Sequence, residues 1–263
     1  MIPQLAHFAT NPAYGSGTYR RRLRFAAGTR TVHAQVDDTH HSYWLVLEHD
    51  NAQITGLEAG FNRAPTNMCP GSVTGLQSLV GARLDVPMRE LMTKLPQTSN
   101  CTHLVDLAFW SIAHIEGSAV WEIEVPDQID APVWIGIGRD GTNIHRWQIA
   151  DFRVVAPEEF AGKPLMSGFM RWAGEAFADF SLLAATMLQR GLFVARGRQH
   201  IVDHAPPTPL ASAEGMAGMC WSYSHDRLAH GTGSLDYVRD FTDGVRMETP
   251  PPHIDNGLKD TGS

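Results

Sequence analysis

Asn100-Cys101-Thr102-His103-Leu104-Val105-Asp106-Leu107 puts a thiol, an imidazole and a carboxylate at the start of an apolar run that continues to Ile115. The run predicts an amphipathic helix that packs through Leu104, Leu107, Ala108, Ser111 and Ile115. Asn100 or Thr102 is expected to cap it by accepting a hydrogen bond from a first-turn amide. Cys101 would then lie where the helix dipole favours a thiolate. His103 and Asp106 share another face, continued by Trp110 and His114. The plain alternative is a buried helix holding a small thiol and a hydrogen-bonded histidine.

On the N-terminal side of that helix, residues 1–19 hold turn residues (Asn11-Pro12, Gly15, Gly17) and predict loop. Sheet patterning runs from Leu23 to Ile54, with strands expected over 29–36, 42–48 and 53–57. The short cluster Arg20-Arg21-Arg22-Leu23-Arg24 reads as surface and ion-pair chemistry. The turn between the first two strands, Asp37-Asp38-Thr39-His40-His41, gathers two carboxylates and two imidazoles at one tip. Pro70, directly after Cys69, suits a first helical position, and Gly81 suits the left-handed cap that ends that helix. A further helix is expected from Pro87 to Leu95.

Beyond Gly117 a β-meander is expected (119–125, 132–138, 144–149 and 152–155), then one long amphipathic helix or two short ones over 169–188. From Pro206 the chain reads as an extended arm held by its aromatic residues, disordered after about residue 248. No internal repeat shows. The expected organisation is an α+β unit (1–117) carrying the site, a meander with helices packed on it (118–205), and the partly disordered arm (206–263).

Composition narrows the function. The formal net charge is −7 with no basic block, which argues against nucleic acid as a partner. No run approaches the roughly 18 apolar residues of a membrane span, and Met1-Ile2-Pro3-Gln4 does not begin a signal peptide. The 3 cysteines, Cys69, Cys101 and Cys220, are too scattered for a disulfide framework, so a reducing, cytoplasmic setting is expected. The 13 histidines invite a search for ligands.

Three element ends carry ligand-type side chains: the hairpin tip, the Cys69 turn and the Cys101 helix. Asp38, His41, Cys69, Cys101 and His103 form the expected metal set, suited to zinc or iron. Asp38, His40, His41, His103 and Asp106 are the expected catalytic groups, with Asp106 orienting His103. Arg63 is expected to pair with an acid of the hairpin tip or to bind a substrate anion. The expected function is an enzyme of the lyase, hydratase or isomerase type, acting on a small apolar or aromatic molecule. The surplus of Trp, Phe and Met suggests that substrate. The alternatives are a metal or iron–sulfur carrier and a purely structural metal site. A homodimer is the oligomer considered. No G-x-S-x-G elbow, P-loop or H-E-x-x-H motif occurs.

Asn11-Pro12, Tyr19-Arg20-Arg21-Arg22, Asp37-Asp38-Thr39-His40-His41, Arg63-Ala64-Pro65, Cys69-Pro70-Gly71 and Cys101-Thr102-His103-Leu104-Val105-Asp106-Leu107-Ala108 together resemble a bacterial and fungal family known as a domain of unknown function. The likeness covers residues 11–155 and reaches the Cys220 and Asp236–Phe241 segments; it implies no activity. In element order, three strands then three helices, the chain is distantly similar to the NifU-type iron–sulfur scaffolds. That likeness implies ligands at Asp38 with His40 or His41, at Cys69, and at Cys101 with His103. The first NifU cysteine is replaced here by Asp and His, and the 119–200 region is additional.

Overall fold

Thr18–Ala27 alternates strictly, sending Tyr19, Arg21, Leu23 and Phe25 to one face and Arg20, Arg22 and Arg24 to the other. This is strand β1 of the computed structural model, which describes residues 8–86 and 88–259. The Met1–Gln4 segment and the helix start expected at Pro87 lie outside those residues. Strand β1 is followed by β2 (Thr31–Asp38), β3 (Ser42–His49) and β4 (Ile54–Arg63). After the first helical segment come β5 (Ala119–Pro126), β6 (Val133–Arg139), β7 (Thr142–Ala150) and β8 (Arg153–Ala156). All pair antiparallel in one 8-stranded sheet, in the order β4-β3-β2-β1-β5-β6-β7-β8.

The expected three-stranded, NifU-like layout is therefore corrected. The arginine-rich stretch taken as surface is the central strand, and four strands rather than three precede the helices. The chain alternates arginine with apolar residues here, so the strand satisfies both faces at once. On the outer face Arg22 stands directly across from Glu122 on β5 and pairs with it at 2.6 Å. Arg20 makes the same pairing with Glu124. Cys69–Leu79 is a 3-10 helix rather than an α-helix, and Gly81 has the expected left-handed backbone, with φ of +82°.

The longer helices are α1 (Thr102–Ile112), α2 (Phe169–Ala176), α3 (Asp179–Ala195) and α4 (Pro252–Lys259). Helices α1 and α3 cover the inner face, burying Leu104, Leu107 and Ala108 with Ala184 and Leu188 against Leu23, Leu45, Trp121 and Ile123. Each such leucine contributes about 1.5–3 kcal/mol of burial. The Asp106–Arg190 ion pair, at 2.9 Å, joins the two helices. No helix among the described residues is long and apolar enough to cross a membrane.

The boundary expected after residue 117 thus falls inside a continuous sheet, between two units of like design. Each unit is four meandering strands followed by a helix, and the units meet at the β1–β5 pair. This architectural repeat has no counterpart in the residue pattern. The disorder expected after residue 248 is also corrected. Helix α4 buries Ile254 and Leu258, four apart and so on one face, against Ala26, Trp44 and Val46 on the outer side of the sheet.

Candidate functional site

The β2–β3 hairpin closes on its own aspartate. Asp38 Oδ1 accepts the backbone amides of His40 at 2.7 Å and His41 at 2.9 Å, an Asx-type turn that explains aspartate at this position. Strand register then sets Asp38 opposite Arg21 on the inner face. Its Oδ2 accepts Arg21 Nε at 2.9 Å, Arg21 Nη2 at 2.6 Å and the Tyr19 hydroxyl at 2.9 Å. His41 Nδ1 lies 3.1 Å from Oδ1. An ionised carboxylate only accepts, so the Nδ1 that faces it carries a proton, and Nε2 is the ring nitrogen left to exchange one.

Helix α1 closes the cluster from above. The His103 ring lies 4.4 Å from that of His41 and 6.2 Å from that of Tyr43. The Tyr43 hydroxyl is buried without a partner among the described residues. The stretch chosen from sequence and the histidine-bearing hairpin thus meet through His103 and His41.

Charge in the cluster is strongly biased. Burial opposes ionisation of Asp38, yet the Arg21 guanidinium, with His41, holds its carboxyl well below the usual range. Burial pushes the Tyr19 and Tyr43 hydroxyls up. Burial, with repulsion from His41 and Arg21, holds His103 well below the ordinary imidazole value. The ensemble is an anion on a fixed cation, with the His103 imidazole and the Tyr19 and Tyr43 phenols held neutral around it.

The other expected residues stand apart. The His40 ring lies between His41 and Tyr237, 6.3 Å and 6.5 Å between ring centres. Its Nε2 is buried without a partner among the described residues, and burial lowers its pKa to about 3. It also lines a 170 Å³ pocket with Thr39, Arg198, His200 and Asp203. Asp106 does not orient His103; it is engaged by Arg190, and burial raises its pKa. Cys101 is itself the N-terminal cap residue of α1 and makes no side-chain capping bond, so neither Asn100 nor Thr102 fills that place. Burial pushes its thiol pKa up, against the helix amides that lower it. The expected thiolate is therefore corrected, because desolvation outweighs the dipole.

Cys69 contacts the hydroxyls of Thr66 at 3.1 Å and Ser222 at 3.3 Å. Among the described residues, no group of three or more His, Cys, Asp or Glu side chains is arranged to hold a metal ion. The expected set Asp38, His41, Cys69, Cys101 and His103 is not assembled: Asp38 is saturated by its own partners, and Cys69 faces hydroxyl groups.

Arg63 does meet the hairpin tip, but at its carbonyls. Its guanidinium donates to the carbonyls of Asp38 at 2.8 Å, His41 at 3.0 Å and Thr39 at 3.2 Å. It also reaches the Tyr237 carbonyl at 2.5 Å and Glu248 Oε1 at 2.6 Å, both in the C-terminal arm. Its acid comes from the arm, which it ties over the hairpin.

Sequence reading missed Tyr19, Arg21 and Tyr43. The signal was the two-residue period of β1, which sends Arg21 inward between Tyr19 and Leu23.

Residues 20–115 match the family model described as "Protein of unknown function (DUF2889)". The matched segment holds all of β1 but its first two residues, β2 through β4 and α1, and with them Arg21, Asp38, His41, Tyr43, Arg63 and His103. No curated protein and no solved structure matches the chain.

Proposed function

We propose, taking the family segment 20–115 as the part that holds the site, that the protein is an enzyme moving a proton on a small organic molecule. Isomerases, hydratases and lyases work in this way. The observation that carries the reading is the Asp38–His41 pair, at 3.1 Å. A buried carboxylate fixes one ring nitrogen and leaves the other as a base, as acid–base catalysis requires. His41 would take a proton from carbon. Tyr43, whose hydroxyl has no partner and keeps its proton because burial raises its pKa, would donate a hydrogen bond to the developing oxyanion. Arg21 would hold Asp38 ionised throughout.

The test is carbon–deuterium exchange. Purified protein in D2O would be incubated with a panel of small apolar and aromatic ketones and α-keto acids, and loss of the α-proton followed by NMR. Exchange is expected with at least one of them. His41→Gln, checked for folding by circular dichroism, should slow it by about 10²–10⁴-fold. No exchange across the panel, or undiminished exchange in folded His41→Gln, would sink the reading.

A second reading has its own support. Neither described cavity is lined by His41 or His103, and Asp38 makes every bond a turn and a buried arginine need. On that reading the cluster is a structural network that fixes the hairpin.

A further inference from the structure

The second half of the sheet has a pocket of its own, about 220 Å³, at the ends of β5, β6 and β7 beneath the C-terminus of α3. Its walls are mixed: Val133, Ile149, Phe152 and Leu192 offer an apolar side, and Gln128, Arg196 and Gln199 a polar one. Two polar side chains in the lining are incompletely used. Arg196 Nε is buried with no hydrogen-bond partner among the described residues. Arg198, two residues on, is by contrast paired with Asp127 at 2.7 Å. The Tyr14 hydroxyl accepts the Gln128 amide at 3.1 Å and Gln199 Nε2 at 3.4 Å. That leaves its own proton without an acceptor among the described residues.

The backbone singles out the same place. Asp151 and Phe152 form the two-residue turn between β7 and β8, and both have positive φ, 49° and 57°. Such turns favour Asn-Gly, and a bulky aromatic in the left-handed region is an outlier. Conformations of this kind persist where the surroundings over-determine them, often at ligand sites. Here the strained turn sets the Phe152 ring beneath the Arg196 guanidinium, 5.4 Å from centroid to carbon. Burial lowers the Arg196 pKa, as expected for a cation desolvated without a counter-ion among the described residues.

We propose that this pocket binds a small monocarboxylate with an apolar, ring-sized body, Arg196 and Tyr14 donating to its carboxylate. A cavity of about 150 Å³ holds benzene, so this one admits a ring bearing a carboxylate and excludes a nucleotide. Asp127 is neutralised by Arg198, and Asp151, which also lines the pocket, repels a phosphate dianion about twice as strongly as a monocarboxylate. The assignment is independent of the acid–base site on the first half of the sheet.

The test is a titration of protein labelled at its Ile, Leu and Val methyls, read by NMR. Benzoate is the probe, benzamide its neutral counterpart, and acetate the carboxylate without a ring. Benzoate should shift the Ile149, Leu192 and Val133 methyls with a Kd of about 1 mM or tighter. Benzamide and acetate should each bind about tenfold more weakly or worse, the loss expected for one charged hydrogen bond or one buried ring. Arg196→Gln should weaken benzoate by about tenfold or more, and Tyr14→Phe by a smaller factor. No shift at these methyls with benzoate, or equal binding of benzoate and benzamide, would overturn the proposal. The comparison of ligands on the unmodified protein decides it even where a variant does not fold.

Discussion

Asp38 and Arg21 show how closely one ion pair can be tied to a fold. Both are buried on the inner face of the sheet, where an unpaired charge is costly. Asp38→Asn should destabilise by about 3–5 kcal/mol, measured by urea unfolding, because it leaves the guanidinium uncompensated. Exchanging both partners for apolar residues should cost much less. Acid should act through the histidines. Burial lowers His40 to about 3 and His114 to about 4, and lowers His103 as well. A depressed histidine contributes stability above its unfolded pKa of about 6.5 and loses it as pH falls toward the folded value. Asp37 works the other way: burial raises it to about 7, so its contribution is present below about pH 4 and is lost as pH rises toward 7. With three histidines set against Asp37 and the raised Asp106, the urea midpoint should climb from pH 4 to 6.5. Asp37→Asn should steepen that climb. A flat profile in both proteins would show that these groups do not control stability. At this scale the sequence made Asp38, His41 and His103 visible through residue type. Arg21 stayed hidden because nothing in its type tells a buried arginine from an exposed one.

Among the elements, β1 and the Arg63 clamp separate what patterning can reveal from what it cannot. Alternation in Thr18–Ala27 is regular, but arginine at alternate positions outweighed it and suggested surface. Strand β2 is legible by its alternation and β3 by the run Tyr43-Trp44-Leu45-Val46-Leu47. The Cys69–Leu79 segment was legible in position but not in type, since Pro70 starts a 3-10 helix as readily as an α-helix. The position of Arg63 suggests an acid of the hairpin tip as its partner, yet its acid, Glu248, lies 185 residues on. No local pattern carries that distance. A lysine there keeps the charge but cannot serve acceptors on several sides at once. Arg63→Lys should therefore cost about 2–3 kcal/mol and speed amide exchange in the Tyr237–Arg239 stretch. Unchanged stability and exchange would show that the arm holds without the clamp.

The whole molecule is two four-strand-and-helix units fused across β1 and β5. The duplication is absent from the residues because the halves use the same places differently. One hairpin spends its tip on Asp38 and His41, bound up with Arg21. The other turns at Asp140-Gly141, both with positive φ, the ordinary chemistry of a tight turn. The meander of each half was readable, but their union into one sheet depends on pairing across about a hundred residues, which periodicity cannot report. The C-terminal arm has a consequence for the order in which the protein is completed during synthesis. Arg63 leaves the ribosome 185 residues before Glu248, and at about 5–20 residues per second the wait is roughly 10–40 seconds. Throughout that interval the nascent hairpin carries its histidines without the strap that will hold them, so the first half of the chain is the last to be finished.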